Sequence, residues 1–136
     1  MLHSERDKSY IYDILKYSQE IIDIVKDENH NSFVNNRIKR LAIERLIQII
    51  GEAANHLSRD FMQENQDIPW TKIIGLRNKI VHDYGEILTD RIWLIASESI
   101  PELMYQIVIY FFMKVAYDII TWKENNLITL TPPVKP

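Results

Sequence analysis

Four polar side chains fall within eight positions of one another: Arg77, Asn78, His82 and Tyr84. Arginine is a permanent cation whose planar fork matches phosphate. Histidine is the side chain that exchanges protons near neutral pH. Together they suffice in principle for metal-free cleavage of RNA. His82 would handle a proton of the 2′-hydroxyl or of the leaving oxygen, and Arg77 would stabilise the charge that develops on phosphorus. Asn78 adds a hydrogen-bonding amide. By spacing alone the same four residues also describe a solvated helix end, so the elements that hold them decide.

The stretch Asp67–Gly85, D-I-P-W-T-K-I-I-G-L-R-N-K-I-V-H-D-Y-G, reads as one helix. Asp67 is a plausible N-cap, and Pro69 falls in the first turn, where its missing N–H costs little. Gly85 is well placed just past the end. Trp70, Ile73, Ile74, Leu76, Ile80 and Val81 supply the buried side. His82 lies near the C-terminus, where the macrodipole favours imidazolium. On a regular helix Arg77 and His82 are ~140° apart. They converge on one phosphate if the arginine arches over, if the helix loosens near Gly85, or if two copies of the chain face each other.

The preceding segment, Phe33–Leu57, reads as a long helix with Ile38, Ala42, Leu46, Ile49, Ala53 and Leu57 on its apolar face. Beside that face Arg45, Gln48, Glu52, Asn55 and Arg59 recur at steps of 3, 4, 3 and 4. Gly51 inside an apolar run implies close approach of a neighbouring helix, and Glu52 next to such a contact needs a cationic partner. Arg37, Lys39, Arg40 and Arg45 form a local basic cluster that can attract RNA phosphates. Bulk charge offers no such attraction, because the net charge is −3.

The whole chain is 136 residues with three Gly, five Pro and no Cys. That length suits one domain, expected over residues 1–125, with an extended or disordered tail over 126–136. Scarce helix breakers among many Ile, Leu, Glu, Lys and Gln predict an all-α fold. The first helix is expected over Asp7–Lys26, with Ile11, Ile14, Leu15, Ile21, Ile22 and Val25 inward. Asn31 or Ser32 is the expected cap of the second helix, and Ser58–Gln66 a polar connector. Thr89 or Asp90 would cap a short fourth helix, and Ser99-Ile100-Pro101-Glu102 would start a fifth running to about Lys123. Its Ile107–Met113 stretch is apolar all round. Seven residues do not cross a bilayer, so a subunit contact is the expected use. Glu52 and His56 share a helix face, but no second Glu/His pair completes a di-metal bundle, and no metal or other cofactor is expected. Trp70 and Trp93 read as core anchors, and His3, His30 and His56 as surface residues. The N-terminus shows no apolar signal region, which, with the absence of Cys, agrees with a cytoplasmic protein.

P-W-x-x-I-x-G-L-R-N-x-I-V-H-D-Y, together with Gln48-Ile49-Ile50-Gly51-Glu52-Ala53, resembles the HepT-type toxins of the HEPN superfamily over about residues 7–103. Their R-x4-H-x-Y motif falls on Arg77, His82 and Tyr84, with Asn78 beside the arginine and Glu52 at the position that supports it. The resemblance implies an up-and-down helical bundle of about five helices that dimerises and brings two motifs into one cleft. It implies a metal-independent endoribonuclease, the toxin of a toxin–antitoxin pair, that cuts cellular RNA such as tRNA or mRNA. It also implies a nucleotidyltransferase antitoxin of the MntA type, which silences the toxin by moving AMP from ATP onto Tyr84. The reading from a different class is a non-catalytic helical module that binds a nucleotide or a nucleotidyltransferase. No membrane partner is implied. The chain departs from the family after about Met104, where the apolar run replaces a charged amphipathic helix.

Overall fold

The computed structural model describes the backbone of residues 5–82 and 86–130, and the side chains of residues 5–80 and 88–126. Every regular element among them is helical: α1 (Glu5–Val25), α2 (His30–Val34), α3 (Arg37–Asn55), α4 (Arg59–Glu64), α5 (Trp70–His82), α6 (Glu86–Leu94), a π-helical turn (Ile95–Ser99) and α7 (Ile100–Leu130). The all-α expectation holds. The chain divides into two compact units, residues 1–105 and 106–136.

In the first unit α3 is central, packing against both α1 and α5. Helix α1 buries Asp7, Ile11, Ile14, Ser18, Ile21 and Val25, one stripe at alternating steps of four and three. Asp7 is the charged member of that stripe and is fully partnered. Its carboxylate accepts from the Ser58 N–H (2.8 Å) and the Ser58 hydroxyl (2.6 Å). The same hydroxyl oxygen accepts from the Phe61 N–H (3.2 Å) and caps α4. The expected polar connector is thus a short helix whose N-cap is tied to the start of α1.

The long second helix is two helices. Asn29, rather than Asn31 or Ser32, caps the first. Its side chain accepts from the Ser32 N–H, and the Ser32 hydroxyl accepts from the Asn29 N–H, a reciprocal capping box. Asn36 caps the second by accepting from the Lys39 N–H (3.0 Å). Two consecutive asparagines offer the backbone local partners that compete with a continuous helix. The core face of this segment matches expectation at Ala53 and Leu57, which are buried, and differs elsewhere. Ile43, Ile47, Ile50 and Ala54 are buried, whereas Ile38 is 81% exposed. Two apolar stripes run side by side on α3, and the one between α1 and α5 is the one that enters the core.

Helix α5 begins at Trp70. The Pro69 carbonyl takes the first helical bond from the Ile73 N–H (3.1 Å), so Asp67 lies outside the first turn. Trp70 is the expected anchor. It is buried, its ring N–H donates to the Asn65 carbonyl (3.1 Å), and its ring packs on Phe61. Gly85, the expected stop, lies outside the described residues.

No break separates α6 from α7. Pro101 has no N–H to give to the Ser97 carbonyl, a defect that would end an ordinary helix. Here the ladder widens instead, with the Ile100 N–H reaching the Ile95 carbonyl five residues back. The capping pattern at Ser99 therefore starts no new helix, and Thr89 and Asp90 lie inside α6 rather than at its cap. The second unit is the remainder of α7, which stays helical to Leu130, past the expected start of a tail. Its apolar side chains are largely exposed, among them Phe112, Met113, Tyr117 and Trp122.

Candidate active site

Helices α3 and α5 meet at Gly51. A Cβ built there would stand 3.1 Å from the Ile73 carbonyl oxygen and 3.9 Å from the Arg77 Cβ. A larger residue would push the two backbones apart, and the close approach sets the next residue, Glu52, opposite Arg77. Glu52 Oε1 lies 3.7 Å from Arg77 Nε. The cationic partner that the sequence demanded for Glu52 is therefore Arg77.

Both members of this pair remain substantially open, with side chains 55% exposed for Arg77 and 42% for Glu52. A pair so exposed adds little to stability, on the order of 0–1 kcal/mol. Its use is orientation. A carboxylate engaging Nε holds one edge of the guanidinium and leaves the other free to meet an anion. Asn78 is the neighbouring exposed residue on α5. Helix α5 stays α-helical through His82, its last residue. Positions 77 and 82 of this regular helix are ~140° apart around its axis, and no loosened turn lies between them. The His82 side chain and all of Tyr84 lie outside the described residues.

The basic cluster is partly committed to structure. Lys39 Nζ bonds Glu28 Oε1 at 2.5 Å, and the Arg40 guanidinium donates to the Val34 carbonyl (3.3 Å). The Lys39 bond, followed by one from the Ser32 hydroxyl, holds the Glu28 carboxyl below the usual carboxylate range. Arg40 joins α3 to α2 and Lys39 joins α3 to the turn before α2, while Arg37 and Arg45 are exposed. Arg45 donates to Gln48 Oε1 (3.4 Å), its neighbour on the expected polar stripe. Two further pairings join residues too far apart in sequence for any spacing rule to signal. His30 bonds Asp90 (2.7 Å), and His56 stacks on Tyr10 with ring centroids 4.9 Å apart. His30 and His56 are exposed, as expected. Among the described residues no three His, Asp or Glu side chains converge as a metal site would require.

An all-α bundle holding an arginine against a glutamate, with a histidine five residues on, defines the class as a helical protein with a candidate phosphate-handling face. Sequence comparison gives the family: residues 14–108 match the model described as "Ribonuclease HepT-like", and the chain belongs to that family. The chain is 36% identical over 105 residues to "Putative RNase MJ1380" of Methanocaldococcus jannaschii, covering 76% of this chain and 96% of that one. It is 32% identical over 100 residues to "Putative RNase TTE0752" of Caldanaerobacter subterraneus, covering 74% and 89%. It is 28% identical over 96 residues to "Probable ribonuclease HepT" of Thermococcus cleftensis, covering 71% and 87%. No solved structure matches the chain.

Proposed function

We propose that this chain is a toxin endoribonuclease that acts in the cytoplasm without a metal ion, with Arg77 and His82 catalytic. The observation that carries the reading is the Gly51-enforced pairing of Glu52 with Arg77, which aims an arginine at an exposed helix face. The family's printed name and those of the relatives support the reaction class. His82 takes the proton from a ribose 2′-hydroxyl, the 2′-oxygen attacks the adjacent phosphorus, and the bond to the 5′-oxygen breaks. That oxygen leaves with a proton from solvent water, and the His82 imidazolium returns its proton to solvent. Arg77 balances the charge that accumulates on the non-bridging oxygens. Arg37 and Arg45, and more weakly Lys39 and Arg40, hold flanking phosphates.

Because α5 is regular, positions 77 and 82 of one chain lie on different sides of the helix, and a homodimer supplies the convergence: Arg77 of one copy works with His82 of the other. Incubating the purified chain with RNA in a chelator tests the proposal. Fragments ending in 2′,3′-cyclic phosphate are expected. Intact RNA, with the chain still forming a tight complex with a nucleotidyltransferase, would point to the binding-module reading instead.

Control falls to Tyr84. A nucleotidyltransferase antitoxin moves AMP from ATP to the Tyr84 phenol oxygen, releasing pyrophosphate and placing a bulky anion where an RNA phosphate binds. Intact-mass measurement after co-expression with that partner is expected to show added AMP that Tyr84→Phe abolishes. An inhibited complex with unmodified Tyr84 would mean that the antitoxin acts by covering the site.

A further inference from the structure

The exposed side of α7 is patterned. Val108, Phe112, Val115, Ile119 and Trp122 follow one another at steps of four, three, four and three, the period of a coiled-coil seam. All five are open, at 47%, 68%, 55%, 59% and 64%. Ile109, Met113 and Ile120 widen the stripe along one side and are exposed as well. The next position of the repeat is Asn126, a polar residue that ends the apolar run, its amide donating to the Trp122 carbonyl (2.7 Å). The stripe begins at the residue where the family match ends.

We propose that this stripe pairs with the same stripe of a second copy of the chain, as a parallel, in-register two-helix seam. Three observations favour that occupant. The first is the repeat itself, since a strict alternation of three and four keeps a seam facing a partner helix. The second is charge. In a parallel pair each residue flanking the seam on one side meets the residue five positions on in the other copy. Asp118 of one copy therefore faces Lys123 of the other, twice over by symmetry. The third is area. Two large aromatics and six aliphatic or thioether side chains, about half to two-thirds open, expose on the order of 800 Å² per copy, the size of a standard interface and above what monomers usually leave bare.

A lipid bilayer is the competing cover. The helical run Leu88–Asn126 is long and apolar enough to cross a membrane, and only 11% of its most apolar window is buried. Lys114 stands near the middle of its apolar stretch and Asp118 one turn later, the depth at which charge opposes insertion most. At a helix–helix seam the same two residues sit off the contact line and remain in water.

The chain has no cysteine, so single cysteines read the geometry directly. Full-length Val115→Cys and Ile119→Cys, each oxidised at micromolar concentration, are expected to give a covalent dimer in most of the protein. Tyr117→Cys, on the opposite side of the helix, is expected to stay monomeric on a denaturing gel. Success at both seam positions excludes antiparallel pairing, in which a residue meets its own copy only at the axis. No cross-link at either position, equal cross-linking at all three, or flotation of the uncross-linked chain with phosphatidylcholine–phosphatidylglycerol vesicles would overturn the proposal. Far-UV circular dichroism confirms that each variant is folded. Cross-linking requires no cleavage, so it reports the seam whether or not RNA is cut.

Discussion

Alanine in place of Arg77 is expected to slow RNA cleavage by about 10²–10⁴-fold while leaving the melting temperature within a degree or two. The two halves of this expectation have different origins. Arg77 is more than half exposed and its ion pair is open to water, so the fold loses almost nothing. The reaction loses the cation that neutralises the pentavalent phosphorus. Lysine is expected to rescue little, because a point charge reproduces neither the fork toward phosphate nor the lateral contact with Glu52. Glu52→Gln should fall between, lowering the rate about tenfold, since it misorients the guanidinium without removing it. The geometry of α5 adds a sharper expectation. Arg77→Ala and His82→Ala proteins, each inactive, should regain roughly a quarter of wild-type activity when their subunits are mixed. Half of the dimers are then hybrids, each with one intact Arg–His pair built across the two copies. Cleavage by Arg77→Ala at the wild-type rate would remove the arginine from the mechanism.

Leucine at Gly51 is expected to be the most damaging single change in the helical core of the first unit. The site of its Cβ already stands 3.1 Å from the Ile73 carbonyl oxygen, and the remaining side chain must displace the α5 backbone. Helix α5 has to move outward, losing packing on α3 and carrying Arg77 away from Glu52. Overpacking of this kind costs about 1–3 kcal/mol or more. For a domain of this size that corresponds to a fall in melting temperature of roughly 5–10 °C, with cleavage reduced at least tenfold even well below the transition. Alanine at the same position is a useful contrast. Its methyl group needs only a shift of a few tenths of an ångström, and the ~1 kcal/mol gained in helix propensity over glycine offsets that. A Gly51→Leu protein with unchanged melting temperature and activity would show that the close approach of α3 and α5 does not position the site.

The features of the site that sequence conveyed are those with a local physical cause. A glycine followed by a glutamate inside an apolar run announced both the close helix contact and the need for a cation, and α5 supplies Arg77 for both. The α1 stripe and the Trp70 anchor were legible for the same reason, because burial imposes a period or a hydrogen-bond demand on neighbouring residues. What escaped was decided by competition. Asn35 and Asn36 divide the second helix because their side chains satisfy backbone groups that a longer helix would also have satisfied. Two apolar stripes on α3 were equally good by periodicity, and only the positions of α1 and α5 select between them. Pro101 signalled a boundary that the π-helical turn absorbs. Lys39 and Arg40 read as free cations until Glu28 and the Val34 carbonyl, brought near by the turn at Asn35–Asn36, engaged them. The exposed stripe on α7 was visible only as an apolar run, since spacing alone does not tell which side of an all-round apolar helix the rest of the chain leaves uncovered.

The assignment of chemistry to α5 is tested most directly by cleavage of RNA with purified wild-type and His82→Ala proteins side by side, in chelator. Cleavage by the wild type with a loss of about 10²–10⁴-fold in the variant, both proteins equally folded, is the expected result. Equal cleavage by the two proteins would contradict a mechanism in which His82 moves the proton and would leave Arg77, Asn78 and His82 as solvated surface.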